Sequence, residues 1–216
     1  MRTITETIAT NVYKYNELNT KAQERVRERY VANYRTPELF SEMLDEDLEI
    51  VFGENDLDVE YSLNYSQGDG LNVYGSISLT QILDAAEQCD WLTYFDAFRN
   101  CFTADEKALI KRYAEDYDTV NIPRNVSNLY NYCYADHIDY VYDYMTMTNA
   151  GEDDDTDLLN RVNAALIYLF SEVCASYDEW GYDFFYGVDD DTLSEECEAN
   201  GWEFTEDGEP HLPYLV

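Results

Sequence analysis

Positively charged residues are scarce in this chain. Of its 216 residues, 13 are Lys or Arg and 46 are Asp or Glu, which gives a formal net charge of -33. Residues 36–98 hold fifteen acids and no Lys or Arg, and residues 162–216 hold fourteen acids and again none. Without a basic patch, direct binding to nucleic acid is not expected. Anionic membranes would repel the chain, so no membrane partner is expected either.

Closely spaced cysteines and long apolar runs are also missing. The five cysteines are an odd number with wide spacing: Cys89, Cys101, Cys133, Cys174 and Cys197. That pattern is typical of reduced thiols in an intracellular protein. No signal-peptide pattern is visible, and no apolar run is long enough to span a bilayer. The sequence therefore predicts a cytosolic protein.

The charge is comparable to that of DNA. Hydrophobic residues make up 45% of the chain, which is enough to bury a core and argues against disorder. A compact domain of this length has a radius of gyration of roughly 17 Å and a diameter of ~45 Å. Duplex DNA carries one charge per ~1.7 Å, so 33 charges correspond to ~56 Å of duplex. A charge this large destabilises a compact chain by self-repulsion and requires an explanation.

The clearest structural pattern is a double alternation over residues 58–79. Apolar positions lie on one face of each half, namely Val59, Tyr61, Leu63 and Tyr65, then Leu71, Val73, Gly75, Ile77 and Leu79. Residues 67–70, Gln-Gly-Asp-Gly, separate the halves. Period-two patterning around such a turn predicts a β-hairpin, and Asp69-Gly70 suits a tight turn. The fold class predicted is α+β, with an antiparallel sheet centred on a hairpin at about 59–79 and packed by several helices, in one domain over residues 1–216.

Helices and further strands are predicted around this hairpin. Helices are expected to begin at Thr20, Thr36-Pro37, Thr80 and Thr103, the first and last with capping-box patterns to Gln23 and Glu106. Two more are expected over 156–180, ending at Gly181, and over 191–200. Strands are expected over 3–15, over two segments of 125–148 and over 202–205. In the second helix, the predicted core side includes Leu39, Phe40, Leu44 and Leu48.

Two groups of carboxylates are the candidate partner-binding residues. Glu42, Asp45, Glu46 and Glu49 follow i, i+3, i+4, i+7 spacing, which places them on one face of the second helix. The other group lies near the end of the chain and consists of Asp189, Asp190, Asp191, Glu195 and Glu196. Both lie in segments without Lys or Arg. An ordinary solvated face that keeps the protein soluble is the alternative interpretation.

No complete catalytic or metal-binding motif is present. Asp153, Asp155 and Asp157 have the spacing of the first ligands of a calcium loop, but Leu158 and Ala164 stand where that loop needs Gly and Glu. Cys133 and His137 lack the two further ligands that a zinc site requires. We therefore predict no enzymatic activity, no metal and no cofactor.

Three motifs resemble those of a known group of proteins. They are VYKYNEL at residues 12–18, YSLNYSQGDG at 61–70 and NGWEFTEDG at 200–208. In this order they resemble small acidic proteins encoded by phages and prophages, whose function is uncharacterised. The resemblance spans most of the chain and implies a mobile-element origin and a role in the cytoplasm of a bacterial host. It supplies no catalytic residues.

Composition and resemblance together predict a DNA mimic. Anti-restriction and some anti-CRISPR proteins of phages are similar in composition, and carboxylates on a rigid surface can occupy a cationic DNA channel. The expected partner is a basic host protein such as a restriction or CRISPR-type nuclease. The alternatives are an acidic scaffold protein with no DNA-site target, a metal-dependent enzyme, and a housekeeping protein adapted to high salt.

Overall fold

A computed structural model of the chain describes residues 10–64, 70–114, 118–124, 139–140 and 153–211. The described helices are α1 Thr20–Tyr34, α2 Pro37–Phe52, α3 Leu79–Gln88, α4 Asp96–Cys101, α5 Ala104–Ala114, α6 Asp153–Tyr186 and α7 Asp190–Ala199. The described strands are β1 Asp56–Ser62, β2 Gly70–Ser78, β3 Thr119–Ile122 and β4 Asp139–Tyr140. This mixture confirms the α+β class.

The chain divides into two compact units. Unit 1 comprises residues 1–40 and 182–216, and unit 2 comprises residues 41–181. The boundaries fall inside α2 and α6, so neither boundary coincides with a loop. The expectation of a single domain over 1–216 stays a prediction.

Unit 2 contains the antiparallel sheet, with the strand order β1-β2-β3-β4. Leu57, Val59 and Tyr61 stand opposite Gly75, Val73 and Leu71, which confirms the shared apolar face. Gly70, expected in the turn, instead lies in β2 opposite Ser62. The described part of β1 ends at Ser62 and β2 begins at Gly70, and residues 65–69 of the expected turn lie outside the described residues.

Gly75 is the position where this sheet requires glycine. Its φ of +124° is one that other residues rarely adopt. A Cβ at this position would stand 2.1 Å from the carbonyl oxygen of Asp56 on the neighbouring strand. The close approach of β1 to β2 therefore depends on the missing side chain.

The outer strands differ from the prediction. β3 was not expected, because Thr119–Ile122 follows a helix with only four residues of pattern. It pairs with β2 through Gly75 and Ile122, and with β4 through Val120 and Tyr140. Of the strands predicted over 125–148, only Asp139–Tyr140 is among the described residues. The rest of that segment lies outside them.

Helices α2, α3 and α6 supply much of the core of unit 2. Leu44, Leu48, Ile82, Leu166 and Phe170 are all buried. Phe52 packs against Phe95 at 5.8 Å and Phe170 at 5.9 Å between ring centroids. Burying one such side chain contributes roughly 1.5–3 kcal/mol relative to leaving it exposed.

One helix within the described residues, Asp157–Tyr186, is long and apolar enough to cross a membrane by length and composition. The sequence had predicted no membrane-spanning run, and Arg161 and Glu172 interrupt the apolar residues of this helix. Its apolar side chains Val162, Leu166 and Val173 are buried in the core, as in the core helix of a soluble domain. The length of this helix is thus weak evidence for a membrane span.

Unit 1 is built around α1, α7 and a short C-terminal pairing. Phe204 forms isolated bridges with Tyr13 and with Pro210, so the expected strand over 202–205 is reduced to a single bridging residue. The core consists of Tyr15, Leu18, Ala22, Val26, Tyr30, Val188, Leu193, Cys197 and Phe204. The turn at Gly208 packs closely on α1, since a Cβ there would lie 2.6 Å from the Ala22 carbonyl oxygen.

Two predicted N-caps are wrong, although α1 begins at Thr20 as expected. The N-cap of α1 is Asn19, not Thr20, and its side chain accepts from Ala22 N at 3.1 Å. The N-cap of α3 is Ser78, not Thr80, with a capping box to Gln81. In each case another side chain within two residues could cap, and the sequence did not distinguish them. The capping box of Thr103 and Glu106 is confirmed.

Helix α6 does not stop at Gly181 but continues to Tyr186. An interior glycine costs about 1 kcal/mol relative to alanine. Beyond it lies Phe184, whose ring stacks on Phe40 within unit 1 at 5.2 Å. Burial of one aromatic side chain outweighs the propensity of one glycine.

Candidate functional site

The first candidate surface is the outer face of α2, and we call Glu42, Asp45, Glu46 and Glu49 the α2 acidic row. All four side chains are exposed, while Leu44 and Leu48 between them are buried. Glu42 and Glu49 are seven residues apart, about 10 Å along the helix axis, so the three intervals between the four charges average about 3.5 Å. Phosphates recur about every 3.4 Å along one DNA strand. The spacing of charges along the row is thus close to that of phosphates along one strand.

The carboxylates of the α2 acidic row have no partner among the described residues. None of the four forms an ion pair or accepts a hydrogen bond there. A fifth acid of the same helix behaves differently. Asp47 is half-buried and accepts a 2.6 Å hydrogen bond from the Tyr177 hydroxyl. Burial, together with this bond, raises the pKa of Tyr177 well above its usual value, so the phenol stays a donor.

Two apolar side chains of α2 are exposed among these acids. Ile50 is 69% exposed and Leu39 is 39% exposed. The placement of Leu39 in the core was wrong, because Phe40 takes the buried position at the start of the helix. Exposed Ile50 follows Glu49 and lies one helix turn beyond Glu46.

The second candidate surface is Asp189, Asp190, Asp191, Glu195 and Glu196, which we call the C-terminal acidic cluster. All five residues are exposed, but three are engaged within unit 1. Asp189 is the N-cap of α7 and accepts from Thr192 N at 2.7 Å. That backbone bond lowers the pKa of Asp189. Glu196 accepts from Asn200 Nδ2 at 3.3 Å.

Asp190 holds two elements of unit 1 together. It accepts a 2.5 Å hydrogen bond from the hydroxyl of buried Tyr15, and it pairs with Arg27 of α1. These two donors, Tyr15 first, lower the pKa of Asp190. Tyr15 and Arg27 each lie more than 160 positions from Asp190 in the sequence, so no local sequence signal indicates these contacts. Asp190 is therefore in the first place a structural residue.

Most cations of the described chain are used in ion pairs. The pairs are Arg25–Asp207, Arg27–Asp190, Arg29–Glu209, Arg99–Asp96, Lys111–Glu87, Arg124–Glu60 and Arg161–Glu106. Arg25 and Arg29 of α1 thus contact the C-terminal segment of unit 1. None of these described cations pairs with a carboxylate of the α2 acidic row.

The residues that were weighed as calcium ligands lie in a helix in the structure. Asp153 begins α6 and Asp157 lies within it, so the acidic run is helical and not a calcium loop. Asp157 pairs with Arg161 at 3.3 Å. Cys133 and His137 lie outside the described residues. Among those that are described, no group of three or more His, Cys, Asp or Glu side chains is placed to hold an ion.

A polar cleft in unit 2 is occupied by internal hydrogen bonds. Glu54, Asp56 and Asp118 line it. Asp118 accepts from Thr80 N at 2.8 Å and from the hydroxyls of Ser78 and Thr80. It therefore fixes the first turn of α3 and is not free to act on a substrate.

No protein-family model, no curated protein and no solved structure matches this chain. The resemblance to phage-encoded acidic proteins stays a prediction. Function is inferred below from the geometry and charge of the described residues.

Proposed function

We propose that this chain is a non-enzymatic inhibitor that binds a basic, DNA-binding host protein by acidic mimicry of DNA. The proposed target is a defence nuclease of restriction or CRISPR type, and the proposed source is a phage or another mobile element. The observation that carries the proposal is the α2 acidic row. It places four exposed carboxylates, none with a partner among the described residues, on one helix at a spacing close to that of phosphates.

The physical basis is electrostatic. A rigid array of charges loses little conformational entropy when it meets a complementary surface. Opposite charge accelerates encounter with a cationic groove, and binding releases counterions as phosphates do. Because the field is screened over about 8–10 Å, binding of this kind weakens with added salt.

The test is charge reversal with a matched control. In the row variant, Glu42, Asp45, Glu46 and Glu49 are all changed to Lys. In the control, four other exposed acids of unit 2 are changed in the same way: Asp90, Asp105, Glu172 and Glu179. Both variants change the net charge equally. Capture of a DNA-binding protein from host lysate should be lost in the row variant and largely kept in the control.

Competition and salt complete the test. Duplex DNA should displace the chain from its captured partner, and affinity should fall on the order of 10-fold or more between 50 and 200 mM salt. Simultaneous binding of DNA and this chain to the partner, or equal loss in both variants, would contradict mimicry.

An acidic scaffold is the second candidate, and exposed Ile50 favours it. An apolar side chain that is 69% exposed adds nothing to mimicry of phosphates but contributes to protein–protein contacts. Binding that survives high salt and is weakened by Ile50→Ser, but not by DNA, would select the scaffold over the mimic.

A further inference from the structure

Arg35 of unit 1 has an unusual environment. It follows the last residue of α1, and its guanidinium carbon lies 4.8 Å from the ring centroid of Phe184 and 5.7 Å from that of Tyr30. Both rings are buried. Two aromatic rings therefore fix the position of one guanidinium group through cation–π contacts.

Among the described residues, Arg35 also lacks the carboxylate partner that most of the other arginines have. Within the described residues, six arginines pair with a carboxylate, whereas Arg35 and Arg112 do not. Arg112 is exposed, but Arg35 is half-buried. In a chain with 46 acids, a half-buried arginine with no described carboxylate is an exception.

The guanidinium of Arg35 has no hydrogen-bond acceptor among the described residues. Its Nε is buried without a partner there, and its two Nη groups make no hydrogen bond to a described residue. Tyr34 and Trp202 lie close by, stacked at 5.6 Å and each partly exposed. Tyr30 contacts both of them as well as Arg35. The donors of Arg35, which have no acceptor among the described residues, thus lie in a cluster of aromatic rings.

We propose that Arg35 anchors a binding site for a small oxyanion, either a carboxylate or a phosphate, in unit 1. The planar fork presents two parallel N–H donors that match a pair of anionic oxygens, and a fixed fork loses less freedom on binding than a mobile lysine. The net charge of the chain opposes any anion at long range. That repulsion is screened over about 8–10 Å, whereas the two hydrogen bonds act at contact. This site is separate from the α2 acidic row and does not depend on the proposed function.

The experiment measures thermal stability and the Trp202 indole N–H resonance. Wild type, Arg35→Met, Arg35→Lys and Arg112→Met are compared in chloride, phosphate and acetate at equal ionic strength. Methionine keeps an apolar stem on the rings but has no donors, and lysine keeps the charge without the fork. Arg112→Met is the control for loss of an arginine that is exposed and has no described carboxylate.

The expected result is a saturable shift of the resonance and a rise of a few degrees in melting temperature, in wild type and Arg112→Met only. Arg35→Lys should lose most of the effect, and this variant decides the matter if Arg35→Met does not fold. A response to phosphate alone assigns a phosphate ligand, and a response to acetate alone assigns a carboxylate. An absent or unsaturable response in wild type, or an equal response in Arg35→Met, overturns the proposal.

Discussion

The α2 acidic row and the C-terminal acidic cluster are both rich in acids, but their carboxylates differ in the contacts that they make within the described structure. Both are runs of exposed carboxylates in segments without lysine or arginine. In the cluster, Asp189 caps a helix and Asp190 binds Tyr15 and Arg27. In the row, no acid has a described partner. Local density of charge therefore does not distinguish acids that hold the fold from acids that are available to a partner.

The difference has a physical origin. The cluster belongs to unit 1, which also contains α1, and α1 carries four of the thirteen basic residues, Lys21, Arg25, Arg27 and Arg29. Acids near α1 therefore have Lys or Arg side chains within reach for ion pairs. The row lies on α2, whose own sequence contains no Lys or Arg. Four predictions test the difference between carboxylates that have a hydrogen-bond or ion-pair partner among the described residues and those that do not. They run from the largest expected effect to the smallest.

The largest effect is expected on the inner side of α2. Asp47→Ala removes the acceptor of the buried Tyr177 hydroxyl, so the unfolding free energy should fall by about 2 kcal/mol, the cost of a buried donor left unpaired. Asp45→Ala on the same helix should change it by less than about 0.5 kcal/mol. Urea denaturation measures both. Equal losses would show that α2 does not separate inner from outer acids.

A smaller effect is expected at the start of α7. Asp190→Ala leaves the Tyr15 hydroxyl and Arg27 without their shared acceptor, and the melting temperature should fall by several degrees. The neighbouring Asp191→Ala makes the same change in charge near the same helix end and should have little effect. Calorimetry compares the two. If Asp191→Ala is as destabilising, the effect belongs to the helix dipole and not to the contact.

The third effect depends on pH. The backbone N–H of Thr103, followed by Arg161, lowers the pKa of Glu106 to about 2, against about 4.3 in an unfolded chain. A lowered pKa means stabilisation that is complete above about pH 4.3 and disappears as the pH falls through about 2. The difference in melting temperature between wild type and Glu106→Gln should therefore shrink between pH 5 and pH 2. A difference independent of pH would show that the pairing does not hold the carboxylate ionised.

The smallest effect on stability is expected for the α2 acidic row itself. Neutralising all four acids to Gln and Asn removes mutual repulsion and breaks no described contact. The unfolding free energy should stay within about 0.5 kcal/mol of wild type or rise. A loss of more than about 1 kcal/mol in urea denaturation would mean that the row supports the fold, and it would weaken its assignment as a binding surface.

Sequence pattern predicted the parts of the fold that depend on local periodicity. The shared face of Val59, Tyr61, Leu71 and Val73 and the long core helix α6 follow from side-chain spacing, which is a property of neighbouring residues. β3 was missed because four residues, Thr119–Ile122, are too few to show a period. Gly181 misled because its local preference was outweighed by burial of Phe184, which depends on tertiary contacts.

The candidate site was predictable only in part. The exposure of Glu42, Asp45, Glu46 and Glu49 follows from helical geometry and was expected. The engagement of Asp190 by Tyr15 and Arg27 was not, because a contact across more than 160 residues leaves no local signal. The same holds for the bond between Asp47 and Tyr177. Sequence identifies which acids share a face, and only the structure shows which of them already have a donor.

The distribution of thiols gives each unit its own kinetic reporter. Cys197 is buried in the core of unit 1, Cys89 and Cys174 are buried in unit 2, and Cys101 is exposed. Burial raises the pKa of Cys197 to about 11, so its reaction with an alkylating reagent requires the core to open. After Cys101 and Cys133 are replaced by serine, the labelling rate of Cys197 reports the opening of unit 1. The labelling rates of Cys89 and Cys174 report the opening of unit 2 in the same molecule, with no added probe.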